Sequence, residues 1–108
     1  MSYKTTHSLQ AEHDLNNIVK YITCNLKNQK AASDFLDCYV EGLELLERFP
    51  FAYKLTGIKI RGYEVRIKKV ESYNMFFSVD IDTKEITVLR ILYARQDWDR
   101  ILQFEYTY

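Results

Sequence analysis

The run Glu85-Ile-Thr-Val-Leu-Arg-Ile-Leu-Tyr93 restricts the possible folds more than any other part of this chain. Its side chains are apolar at both odd and even positions, with Arg90 as the one basic interruption. A strand that is apolar on both faces belongs inside a sheet with both faces covered, not at a wetted edge. The segment before it, Tyr73-Asn-Met-Phe-Phe-Ser-Val-Asp80, also reads as a strand, and Asp82-Thr83-Lys84 is a tight polar turn between the two. Phe76 sits on the face opposite Met75, Phe77 and Val79. Placing Arg90 within such a strand is costly unless it meets an acid, for which Asp80 and Glu64 are candidates, or serves an anionic partner.

The rest of the chain must supply the covering layers. From Gly62 the apolar period is two, with Tyr63, Val65 and Ile67 on one face and Glu64, Arg66 and Lys68 on the other. Upstream the period is helical. Ser8 is an N-cap candidate ahead of Ala11, Leu15, Ile18, Val19, Ile22 and Leu26. Asn28 is a second cap, ahead of Ala32, Phe35, Leu36, Tyr39, Leu43 and Leu46, and Pro50 ends that helix. Two amphipathic helices with a short joint make an antiparallel hairpin. Tyr3 to Thr6 reads as a short edge strand, Phe51 to Ile60 as an irregular crossing with a turn near Gly57, and Asp97 to Phe104 as a closing helix with Trp98, Ile101 and Leu102 inward. The expected fold is α+β: an N-terminal helical hairpin packed on a small antiparallel β-sheet, with a short C-terminal helix, in a single domain over 1–108.

Composition narrows the class. The chain has 108 residues, 47% of them apolar, enough for one packed core. No run approaches the roughly 20 apolar residues of a membrane span, and the start lacks a signal-peptide core, so a cytoplasmic protein without a membrane partner is expected. His7 and His13 have no ligand-type partners at metal spacing, and no phosphate loop or cofactor motif occurs, so no metal or cofactor is expected. Cys24 and Cys38 read as small core residues on different helices. The formal net charge is zero, but from His7 to Arg48 there are seven acids against four bases, and from Lys54 to Lys69 six bases against the single acid Glu64. That basic stripe is either a solvated strand face or a surface for phosphates or acidic protein segments.

The order of elements and several local motifs resemble the RelE/ParE superfamily of type II toxin–antitoxin toxins, which includes plasmid stabilisation proteins. The motifs are Ala11-Glu-His-Asp-Leu15, Leu46-Glu-Arg-Phe-Pro50, Gly62-Tyr-Glu-Val-Arg66 and Val88-Leu-Arg-Ile-Leu-Tyr-Ala-Arg-Gln-Asp-Trp98, ending in Ile101-Leu102. The resemblance implies a growth-inhibiting toxin neutralised by a cognate antitoxin, in a complex that can be of higher order. The antitoxin is expected in the groove between hairpin and sheet, its acids meeting the basic strand. RelE-like members cut mRNA on the ribosome without a metal, as mRNA interferases; ParE-like members poison DNA gyrase without chemistry of their own. A degenerate member that only binds its antitoxin and acts as co-repressor is a further alternative.

Carried over residue by residue, the RelE-like lysine pair falls on Glu64 and Arg66, and the strand-exit arginine on Arg95. The arginine of the next strand falls on Asn74 and the closing-helix tyrosine on Ile101, so both are replaced here. As an endoribonuclease the chain would use Arg66, Arg95, Lys68, and Tyr93 or Glu64, with Tyr93 as proton shuttle or base-stacking platform. Each residue also has a plainer reading: Arg95 with Asp97 as a salt bridge and helix cap, Tyr93 as core packing, Arg66 and Lys68 as a solvated face. Trp98 is expected to seal the closing helix, and the tail Tyr106-Thr107-Tyr108 either packs on the body or covers a site.

Overall fold

The computed structural model describes residues 3–106, with side chains through 103. The aromatic tail Tyr106-Thr107-Tyr108 lies outside the described residues save for the backbone of Tyr106. The elements run β1 (Lys4–His7), α1 (Leu9–Lys20), a π-helical turn (Tyr21–Asn25), α2 (Gln29–Arg48), β2 (Lys54–Ile60), β3 (Tyr63–Val70), β4 (Tyr73–Asp80), β5 (Glu85–Tyr93) and α3 (Trp98–Tyr106). The strands form a five-stranded sheet in the order β1-β5-β4-β3-β2. β1 lies parallel to β5, and the other pairs are antiparallel. The sheet is therefore mixed. β5 is internal, as its two apolar faces require.

Ser8 and Asn28 cap the two helices as expected. Their side-chain oxygens accept from the N–H groups of Ala11 (3.0 Å) and Ala31 (2.9 Å). Between the helices the chain widens into π-type bonding, with Leu26 N–H donating to the Tyr21 carbonyl at 3.2 Å. Lys27 then takes a positive φ of 51° and reverses the chain.

Phe51 to Ile60 is not an irregular crossing: Lys54 to Ile60 is an edge strand. Its register slips between Leu55, opposite Arg66, and Lys59, opposite Glu64. Gly57 lies in that bulge at φ 85°, and Thr56 Oγ donates to the Val65 carbonyl at 2.9 Å across it. Extra residues in a bulge break the period-two signal, which is why alternation did not reveal the strand. The β2–β3 turn places Arg61 (φ 52°) and Gly62 (φ 87°) both in the left-handed region, as a two-residue hairpin requires.

The core has two halves divided by the sheet. On the hairpin side, Ala11, Ile18, Phe35, Tyr39 and Leu46 pack on Val70, Met75, Phe77, Ile86, Val88 and Ile91. On the other side, Leu102 and the partly buried Trp98 and Ile101 of α3 cover Ile60, Val65, Phe76, Leu89 and Leu92. Phe76 and Phe77 thus serve opposite layers, and both are fully buried. A bulge in β5, where the partners of Phe76 and Phe77 are Arg90 and Val88, keeps both faces of that strand apolar. Gly42 lets α2 sit close on β3, since a Cβ there would meet Lys68 Cε at 3.3 Å and Val70 Cγ2 at 3.7 Å. Cys24 is exposed in the π-helical turn, contrary to its reading as a core residue, and Cys38 is half-buried against the core.

His7 ties β1 to α2 through a 2.5 Å hydrogen bond between its Nε2 and the Tyr39 hydroxyl. Burial lowers the His7 pKa, partly offset by the nearby Glu12 carboxylate, and burial raises that of Tyr39. Both shifts favour a neutral imidazole accepting from the phenol. The unfolded chain binds a proton below about pH 6.5 that folded His7 resists, so this residue's contribution is present above that pH and is lost on acidification. Thermal unfolding midpoints should fall between pH 7.5 and 5.5, and His7→Gln should flatten that slope. An unchanged slope in the variant would assign the effect to other groups.

Candidate functional site

Two stretches of the sheet carry the residues singled out from sequence: the exit of β5 and the middle of β3. β1 pairs with β5 only as far as His7 opposite Val88, where the chain turns into α1. Beyond that point the edge of β5 would expose unpaired N–H groups. Asp14 of α1 covers it. Its carboxylate accepts from the Ile91 N–H at 2.9 Å and takes the Arg90 guanidinium at 2.7 Å (Nε) and 3.0 Å (Nη2). The acid that meets Arg90 is therefore Asp14, not Asp80 or Glu64. The Asp14 and Arg90 side chains are only 13% and 14% exposed.

Further along, Tyr93 donates its N–H to Gln96 Oε1 at 3.0 Å, and its carbonyl accepts from the Gln96 N–H at 2.9 Å. Ala94 is tied to the Ser72 carbonyl at 2.9 Å. Asp97 caps α3, its carbonyl accepting from Ile101 at 3.1 Å and its carboxylate from the Arg100 N–H at 3.4 Å. Arg95 is exposed on this braced loop and, among the described residues, forms no ion pair with Asp97. Tyr93 is 42% exposed, and its ring meets that of Tyr73 edge-on at 5.7 Å between centroids.

On β3, Glu64, Arg66 and Lys68 do share one face, but it is the hairpin side of the sheet. Arg66 donates to the Tyr53 carbonyl at 2.8 Å and lies 5.2 Å from the centre of the Phe51 ring. Lys68 Nζ sits 5.0 Å from the Tyr53 ring, with its stem under Gly42. Both are half-buried, so this is not an open charged face; Glu64 is exposed, opposite Lys59. Arg66 is level with Phe77, and through it with Val88, whereas Tyr93 is the last residue of β5 and Arg95 lies beyond it. At about 3.3 Å per residue and about 4.8 Å per strand, Arg66 and Tyr93 are separated by roughly 15–20 Å. The fold gathers Glu64, Arg66 and Lys68 in one place, and Tyr93 and Arg95 in another.

Three residues at the β5 exit escaped the sequence reading: Asp14, Tyr21 and Glu71. Asp14 stands in the Ala11-Glu-His-Asp-Leu15 motif, where an acid beside the apolar stripe was the available signal. The other two come together with Tyr93 through contacts distant in sequence. A separate cleft of about 160 Å³ lies between Tyr63, Ser78, Asp80 and Thr87. There the Tyr63 hydroxyl donates to Asp80 at 2.9 Å, and that bond, with the Thr83 and Asp82 N–H groups, holds the Asp80 pKa below the usual carboxylate range. Among the described residues no group of His, Cys, Asp or Glu could hold a metal ion, and no helix is long and apolar enough to cross a membrane.

A helical hairpin on one face of the sheet and a short closing helix on the other is the architecture of the RelE/ParE toxins. A chromosomal ParDE toxin–antitoxin system from P. aeruginosa superposes with a TM-score of 0.67 at 22% identity, over 86% of this chain and 97% of that one. The archaeal RelE–RelB complex from Pyrococcus horikoshii OT3 gives 0.62 at 17% identity, over 89% and 99%. The toxin–antitoxin complex RelBE2 from Mycobacterium tuberculosis gives 0.59 at 14%, over 86% and 99%. No curated protein matches by sequence. The sequence model for the ParE toxin of the type II toxin–antitoxin system parDE matches residues 7–98, so the chain belongs to that family.

Proposed function

We propose that this chain is the growth-inhibiting toxin of a type II toxin–antitoxin pair, that it acts in the cytoplasm by binding DNA gyrase, and that a cognate antitoxin neutralises it. The observation that carries the gyrase reading is the dispersal of the cations. Cleavage of RNA without a metal needs donors held about 3 Å from the oxygens where charge develops. Arg66 and Lys68 are instead engaged by a carbonyl group and aromatic rings, and Arg95 stands past the exit of β5, two strands across from both. Such an arrangement suits two contact surfaces better than one catalytic centre. Tyr93 and Arg95 form one of them, and Glu64, Arg66 and Lys68 the rim of the other. The antitoxin partner is supported by the family and by structural neighbours described as toxin–antitoxin complexes.

Purified protein should cause gyrase-dependent cleavage of plasmid DNA and leave mRNA on translating ribosomes intact. Arg95→Ala should weaken the gyrase effect by about tenfold, the scale of one lost charged contact of about 1.4 kcal/mol. Codon-linked mRNA cutting without an effect on gyrase, with Arg95→Ala lowering it by about 10²-fold or more, would establish the ribonuclease mechanism instead. Normal growth on induced expression would remove the toxin reading itself.

A further inference from the structure

A cavity of about 590 Å³ opens where the π-helical turn approaches the start of β4 and the end of β5. The rings of Tyr21, Tyr73 and Tyr93 and the Glu71 residue line it, with Ile22 and Leu26 on the hairpin side. Among the described residues, no basic one lines it. In the smaller adjoining trough, which shares the same three tyrosines, the one cation among the described residues is Arg90, and it is held by Asp14. Tyr73 is propped from behind by Phe35, edge-on at 5.4 Å, and from the side by Tyr93, so its ring is held in place. Burial raises the Tyr73 pKa first, and the proximity of Tyr21, Tyr93 and Glu71 adds to it. The groups that face one another here are therefore negative or electron-rich, and among the described residues none lining the cavity supplies a counter-charge.

Several aromatic rings and a carboxylate around an empty volume are the recognition elements for a cationic group. We propose that this cavity is a cage for one arginine or lysine side chain, carried on an apolar segment of the antitoxin. The apolar flanks follow from the rim, where Leu26 is 56%, Tyr21 48% and Tyr93 42% exposed. A basic residue there also suits the hairpin half of the chain, which carries seven acids against four bases between His7 and Arg48. The cage is thus opposite in sign to the β2–β3 stripe, and a partner reading both would need a basic anchor at one end and acids at the other. The assignment to an antitoxin rests on the proposed function, whereas the cation selectivity of the cage does not.

The test uses the full chain and the tripeptide acetyl-Leu-Arg-Leu-amide, with its citrulline counterpart as a neutral match in shape. Tyrosine ring signals should shift saturably with the arginine peptide at millimolar concentration, and at least fivefold more weakly with the citrulline peptide. Glu71→Gln and Tyr21→Ala should each weaken arginine-peptide binding by at least fivefold. Equal binding of both peptides, or no saturable shift with either, would overturn the cage. In cells, the growth arrest caused by Glu71→Gln should be rescued less well by the co-expressed cognate antitoxin than the arrest caused by the unaltered chain. Undiminished rescue would overturn the antitoxin as occupant. Absence of growth arrest by the unaltered chain, with arginine selectivity intact, would instead remove the toxin reading and leave the cage standing.

Discussion

Asp14→Ala is expected to destabilise the fold by about 3 kcal/mol, the lower part of the range for breaking a buried ion pair. The substitution leaves the Arg90 guanidinium, 14% exposed, without the carboxylate that binds it through two nitrogens. It also leaves the Ile91 N–H unpaired on the stretch of β5 that β1 does not reach. Urea unfolding should show a midpoint lower by on the order of 2 M with an unchanged slope. The double variant Asp14→Leu, Arg90→Met should recover most of the loss, because well-packed apolar replacements avoid burying the Arg90 charge without the Asp14 carboxylate. A cost below about 1 kcal/mol for the single variant would mean that the Asp14 carboxylate is not the main group offsetting the Arg90 charge.

Phe76→Ala should cost about 3–5 kcal/mol, the usual toll of removing a fully buried aromatic ring. That is a large share of the 5–15 kcal/mol that holds a domain of this kind together. Its second consequence is local. The Phe76 ring lies 5.2 Å from that of Trp98, at the start of α3. Losing it loosens α3 from the sheet, and fluorescence from Trp98, the single tryptophan, should shift to the red under native conditions. Phe77→Ala, a neighbouring change of equal size, opens the hairpin-side core and should leave the emission wavelength in place. If both variants shifted it alike, the two halves of the core would not be independent.

Much of the architecture was legible before any coordinates. The helical stripes apart from Leu26 and Leu36, which are exposed, both N-caps, the internal position of β5, the opposed Phe76 and Phe77 and the closing helix with Trp98 inward all follow from periods and local chemistry. The strand β2 did not, because the bulge around Gly57 scrambles alternation where it would have been read. The charged face of β3 was legible as a face but not as a half-covered one. Its cover is Phe51 and Tyr53, whose rings and carbonyls reach Arg66 and Lys68 from a segment with no period to read.

The β5 exit divides in the same way. Tyr93, Arg95 and Asp97 stood out from their place after an apolar strand, and the Asp97 cap is a local matter. The Asp14–Arg90 pair joins residues 76 apart in sequence, and the tyrosine cage joins a helix turn, a strand start and a strand end. Hydrophobic period and capping act over one or two turns of chain, so they are written in adjacent residues and set which segments become helix or strand. Which acid meets a buried arginine, and which rings enclose a cavity, depends on how those segments pack, and no short-range pattern carries that information.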